Sequence, residues 1–168
     1  MHYLTIVLRF LHVFGGAFWF GGAMLMGFFI SPTVVATAEA GQKFMGYLIN
    51  KIRIHIVFTV SATLTILAGA GLYWIDSDGF VSAWTKSGAG MVFGIGGFFG
   101  LIGYIFGVML GNNLSIIAGI GAKAQGKPTP EQLSQIQAAQ KRLKVVGPIS
   151  SFSLIIAVAC LSVARYWF

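Results

Sequence analysis

Leu4 to Ile30 reads LTIVLRFLHVFGGAFWFGGAMLMGFFI, and a single permanent charge, Arg9, interrupts it. Bilayer hydrocarbon is about 30 Å thick and an α-helix rises about 1.5 Å per residue, so roughly 20 apolar residues cross it. The stretch is longer than a crossing needs. Small residues at Val35-Ala36-Thr37-Ala38 resemble a signal-peptide cleavage site. The apolar core of such a peptide spans only about 7 to 15 residues, so the segment is expected to be retained as a membrane-crossing helix.

Three further apolar runs follow, Ile54 to Ile75, Met91 to Ile120 and Val145 to Phe168. Hydrophobic residues make up 57% of the chain and charged residues 9%, against about 25% charged in a soluble domain. The expected fold is an all-α polytopic membrane four-helix bundle, with residues 1–168 forming one transmembrane domain. Cys160 is the only cysteine, which excludes intramolecular disulfides and multi-cysteine zinc sites. It reads as a small apolar filler of the fourth span.

Basic residues set the expected orientation. Lys43, Lys51 and Arg53 in the first connection, with Lys123, Lys127, Lys141, Arg142 and Lys144 in the third, supply eight of the eleven Lys and Arg. Short basic loops stay in the cytoplasm, which places both termini and the Asp76 to Lys86 loop outside, in a bacterial inner membrane. The net charge of +7 borders apolar spans, where anionic headgroups attract Lys and Arg. Lipid, and no nucleic acid, is the expected partner.

Thr129-Pro130-Glu131-Gln132 combines a capping hydroxyl, a first-turn proline, an acid at the positive helix end and the glutamine of a capping box. The fourth helix is therefore expected to start before the membrane. Leu133, Ile136, Leu143 and Val146 then recur among Gln and Lys as an amphipathic cytoplasmic extension, and Gly147-Pro148 predicts a kink. Trp84, Tyr166 and Trp167 fall beside the outer ends, where amphipathic rings prefer the headgroup layer.

Glycine occurs 23 times. Gly90, Gly94, Gly97, Gly100, Gly103, Gly107 and Gly111 follow steps close to the 3.5-residue repeat of left-handed helix pairs. Membrane helices gain contact where missing side chains let backbones approach. This seam is expected to meet another helix, or a homo-oligomer or membrane-complex partner through Gly97, Gly100, Gly103 and Gly107. A flat cofactor can use the same kind of groove.

Acidic residues number four, Glu39, Asp76, Asp78 and Glu131, and each falls in a connection or at a helix start. No carboxylate pair is expected within the membrane. The chain lacks CxxC, HExxH, a phosphate-binding glycine loop and a nucleophile elbow. Met24, Met26, Met45, Met91 and Met109 are scattered and read as packing rather than copper ligation.

Intramembrane ionisable groups are then the functional candidates: Arg9, His12 and His55. At helical spacing His12 shares a face with Gly15, Gly16, Trp19 and Ala23, so an imidazole projects beside missing side chains and an indole. That shape admits a planar macrocycle. Neutral histidine is a common axial ligand of haem iron, and Arg9, one turn nearer the outer surface, is placed to pair a propionate. The alternative is that His12 hydrogen-bonds within the bundle, Trp19 packs and Arg9 snorkels to headgroups. His55 follows Lys51 and Arg53 and reads as a hydrated interfacial histidine. Antiparallel helices hold it roughly 15 to 25 Å from His12, too far to share one iron.

Leu11-His12-Val13-Phe14, Phe18-Trp19-Phe20-Gly21-Gly22 and Ser31-Pro32 together resemble the first helix of the CopD-like and HemJ-like four-helix membrane families. Looser similarity continues through the basic entry to the second span, Lys141-Arg142-Leu143 and Pro148. The resemblance implies a redox or haem-associated membrane protein, the HemJ-like branch being linked to protoporphyrinogen oxidation and the CopD-like branch to copper handling. Trp84-Thr85-Lys86 and the glycines after it stand where the HemJ-like pattern tends to offer histidine, so porphyrinogen oxidation is not expected. The expected function is a haem b-binding, redox or electron-transfer protein with His12, Trp19, Arg9, Gly15 and Gly16 at the cofactor and His12 as metal ligand. The competing classes are a cofactor-free structural subunit and a metal or small-molecule transport protein.

Overall fold

The computed structural model describes residues 2–123 and 128–167, and among them every regular element is helical. Helix α1 (His2–Leu25) passes through a π-helical turn, Met26–Ile30, into α2 (Ser31–Ala36). Helix α3 (Ala38–Tyr47) and a second π-helical turn, Leu48–Ile52, lead to α4 (Ile54–Asp76). A 3₁₀ turn, Ala83–Lys86, precedes α5 (Gly88–Lys123), and α6 (Pro130–Val163) ends in a 3₁₀ turn, Ala164–Tyr166. Four stretches are long and apolar enough to cross a membrane: His2–Ala36, Ile54–Asp76, Gly88–Lys123 and Pro130–Tyr166.

The first crossing helix continues past Ile30, where the apolar run ends. Pro32 has no N–H to donate, and its ring collides with the carbonyl of the residue four positions back in a regular helix. The widened turn just upstream is where such a helix can absorb that conflict. Thr33 and Thr37 then turn their hydroxyls back onto the carbonyls of Phe29 and Thr33, each at 2.7 Å. The helix breaks at Thr37–Ala38, where Ala38 takes φ 44°. Gly41 makes this corner possible, because a Cβ there would strike the Val34 carbonyl. The first connection is thus mostly helical rather than an open loop.

Helices α1 and α4 run antiparallel, with Leu8 against Gly71, His12 against Gly69 and Phe58 against Gly22. Between α4 and α5 the Tyr73 hydroxyl donates to the Gly90 carbonyl at 3.2 Å, and Thr63 and Tyr104 hydroxyls meet at 2.9 Å. The buried centre is small. Trp19, Ala62 and Leu154 form it, with Phe20, Ala23, Met24, Ile66 and Tyr104 packed around them. Trp84 packs edge-on to Tyr73 and stacks on Phe93, closing the α4–α5 end of the bundle.

The most extensive packing joins α5 to α6. Along α6 the buried positions Ala139, Val146, Ser150, Ser153 and Ala157 follow steps of seven, four, three and four, the spacing of a left-handed helix pair. Across from them a Cβ at Gly96 would lie 2.8 Å from Leu161, at Gly103 2.7 Å from Leu154, and at Gly107 3.4 Å from the Ser150 hydroxyl. Ser150 also donates to the Gly103 carbonyl at 2.9 Å. Gly100 faces Ile66 and Ala157. The seam therefore exists over its middle, Gly90 meeting Trp84 and Gly94 and Gly111 facing Tyr73 and His55 of α4 instead, and within that middle one position differs from the sequence reading. Gly97 is exposed with nothing within 4 Å of a Cβ, and Gly96 takes its place. The reason is that a straight helix drifts from a 3.5 repeat, so the 97-to-103 steps of three turn Gly97 off the contact line.

Thr129 caps α6 as its sequence predicts: its hydroxyl accepts from the Gln132 N–H at 3.2 Å and its N–H donates to Gln132 Oε1 at 3.0 Å. Pro148 lies inside α6, which runs on through it. At about 1.5 Å per residue, the 36 residues of α5 and 34 of α6 each exceed the hydrocarbon thickness by about 20 Å. Both helices are therefore longer than a crossing requires.

Candidate functional site

His12 sits midway along α1, where Nδ1 lies 2.8 Å from the Thr65 carbonyl oxygen of α4. A carbonyl only accepts, so Nδ1 carries the hydrogen. In the neutral ring Nε2 then holds the lone pair. Gly69 creates the clearance for this ring: a Cβ there would stand 2.7 Å from Cε1 and 2.8 Å from Nδ1. A second histidine nitrogen fixed by a backbone carbonyl is the usual way proteins orient an imidazole ligand.

The other residues expected around His12 separate into three environments. Gly15 and Gly16 share its face, but α4 fills the space they leave. A Cβ on Gly15 would lie 2.7 Å from Thr65 Oγ1, and one on Gly16 3.4 Å from Thr65 Cγ2. Ser61 donates to the Gly15 carbonyl at 3.1 Å, and Thr65 donates to the Ser61 carbonyl at 2.8 Å. Trp19 is buried in the central cluster, edge-on to Tyr104 with ring centroids 6.3 Å apart. Arg9 is exposed.

Thr65 and Gly69 are the site residues that sequence reading missed. Their signal was present: Ser61, Thr65 and Gly69 form a small and polar stripe at four-residue spacing along the second span, the pattern by which membrane helices approach closely. A groove of about 430 Å³ also separates the two helices, between Leu11, Phe14 and Gly15 of α1 and Ile56, Val60 and Leu64 of α4. His12 does not line it.

At the opposite end of α4 lies a second polar group of residues. Arg53 stands at φ 55°, in the left-handed region, between the π-helical turn and α4. His55 packs its Cβ 3.3 Å from the position a Gly111 Cβ would take, and its Nδ1 is buried without a partner. Asn50 donates to the Ala118 carbonyl at 3.0 Å and Ser115 to the Gly111 carbonyl at 2.9 Å. A cavity of about 290 Å³ opens among Ile49, Asn50, Arg53, His55, Ile56 and Ser115.

His12 meets α4 at Thr65 and Gly69, ten to fourteen residues from His55, or about 15 to 21 Å along the helix. The two imidazoles cannot ligate one ion. Among the described residues no three His, Cys, Asp or Glu side chains gather as a metal-binding group. No protein-family model, curated protein or solved structure matches the chain.

Proposed function

We propose that this protein is an integral membrane haem b-binding protein with a redox or electron-transfer role, in which His12 supplies an axial ligand through Nε2. The supporting observation is the 2.8 Å contact between His12 Nδ1 and the Thr65 carbonyl, which in a neutral ring puts the hydrogen on Nδ1 and leaves the lone pair on Nε2. Bound haem supplies a one-electron couple. The chain's own part is restraint: Thr65 fixes the ring, Gly69 gives it room and Arg9 offers a cation one turn away. Gly15 and Gly16, closed by Thr65, do not form a cradle, and Trp19 serves the core. Their role in this reading is to seat α1 on α4. The macrocycle accordingly has to meet His12 from outside the α1–α4 contact. The proposed setting is a bacterial inner membrane, both termini outside, with the projecting α5–α6 ends in the cytoplasm, on the basic bias of the connections. The test is haem content per chain after purification from haem-supplied cells, measured as the pyridine haemochrome. A stoichiometric value supports the reading and a trace value defeats it.

A second reading, a cofactor-free subunit of a homo-oligomer or larger membrane complex, draws on the filled glycines. Gly15, Gly16 and Gly69 are consumed by helix packing, as are Gly103 and Gly107 on the α5–α6 seam. Of the glycines expected to meet a partner, Gly97 alone has open space before it, beside exposed Phe98 and Leu101. Cross-linking from a cysteine at Gly97, without haem in the preparation, favours this second reading.

A further inference from the structure

The cavity beside Arg53 and the groove between α1 and α4 share one residue, Ile56. The first is polar and lies at the basic end of α4. The second is apolar and runs from there toward the middle of the bundle. With Ile56 as their shared wall, a small polar compartment lies next to an apolar track, the arrangement of an amphiphile's two parts.

Charge identifies the head. Arg53 has no acidic partner among the described residues, where the only ion pair joins Glu39 to Lys43 at 2.8 Å, and Lys51 adds a second exposed cation on the same turn. Arginine presents planar donors suited to a phosphate. The buried Nδ1 of His55 lacks a partner among the described residues, an unmet hydrogen-bonding capacity that a bound group can satisfy. Asn50 and Ser115 each spend a donor on a backbone carbonyl, which leaves their oxygens as acceptors for headgroup hydroxyls. The cavity volume of about 290 Å³ is that of a headgroup and not of a whole lipid. The groove of about 430 Å³, walled by Phe14, Val60 and Leu64, then accommodates an acyl chain.

We propose that this composite is a binding site for one anionic glycerophospholipid with a hydroxylated headgroup, its phosphate at Arg53 and one acyl chain between α1 and α4. The inference is independent of haem binding. Its test is native mass spectrometry of the full chain in detergent with added phosphatidylglycerol, phosphatidylcholine or inorganic phosphate. The wild type should retain phosphatidylglycerol at least tenfold better than phosphatidylcholine. Arg53→Asn, which tolerates the left-handed backbone, should abolish that preference, whereas Lys144→Asn, an equal charge loss elsewhere, should keep it. Val60→Trp, at an exposed position on the groove wall, should fill the groove and reduce retention while the helical circular dichroism and thermal transition stay those of the wild type. Equal losses from Arg53→Asn and Lys144→Asn would reduce the effect to general surface charge and overturn the site. Displacement by millimolar inorganic phosphate would identify a phosphate site and overturn the lipid. Unchanged retention in Val60→Trp would remove the acyl track and the proposal with it.

Discussion

Gly103→Ala measures how tightly α5 and α6 interlock. The added Cβ would stand 2.7 Å from Leu154 Cδ2 and 2.8 Å from its Cγ, against an optimal carbon separation of about 3.5 to 4.0 Å. Leu154 is buried at 3% exposure, so it cannot swing aside, and the helices must part by about 1 Å. Overpacking of this kind costs about 1–3 kcal/mol. The same movement stretches the 2.9 Å bond from Ser150 to the Gly103 carbonyl beyond useful range, at about 1 kcal/mol more. Gly97→Ala is the matched control, because nothing lies within 4 Å of its Cβ and both variants gain the same helix propensity, about 1 kcal/mol. The difference between them should be about 2–4 kcal/mol, roughly a 30- to 900-fold change in the folded-to-unfolded ratio. Unfolding by dodecyl sulfate in mixed micelles, followed through far-ultraviolet circular dichroism, reads it directly. Variants within about 0.5 kcal/mol of each other, the ordinary scatter of surface substitutions, would refute the interlocked seam.

Three further outcomes follow from local geometry. In a Cys160→Ala background, a cysteine at Gln135 should resist impermeant reagents added outside whereas one at Asp78 reacts. The opposite pattern would invert the proposed orientation. Thr129→Ala removes the capping box at the start of α6, costs about 1 kcal/mol and should speed amide exchange in that first turn about fivefold. Lys43, bonded to Glu39, holds that carboxyl below its ordinary range. The pair's contribution to α3 is therefore complete above the ordinary carboxylate pKa and is lost as pH falls through the lowered one, so Glu39→Gln should flatten the acid dependence of α3 exchange.

The four crossings were legible because length and apolarity are properties of one segment at a time. The Thr129 cap was legible for the same reason, its partners lying three residues apart. The course of residues 31–52 was not, since a π-helical turn and the Gly41 corner depend on how Pro32 and Val34 meet their neighbours in space. The glycine seam was readable as a stripe, but its register was not. The helical period takes Gly97 off the line of Gly103 and Gly107, and the contacts of Leu154, Ala157 and Leu161 show that the line with Gly96 is the one that faces α6. His12 was singled out by its depth and by the glycines and Trp19 on its own helix face, whereas Thr65 and Gly69, which orient it, lie more than fifty residues away and required the α1–α4 pairing. His55 read as a hydrated interfacial residue, and its buried Nδ1 emerges only when α5 closes over it.

Visible absorption of the purified protein and two histidine variants tests the central claim most directly. The account predicts a Soret band in the wild type, its loss in His12→Ala and its retention in His55→Ala, the two rings lying about 15 to 21 Å apart along α4. A featureless spectrum from haem-supplied cells, or a Soret band that survives in His12→Ala and vanishes in His55→Ala, would contradict it.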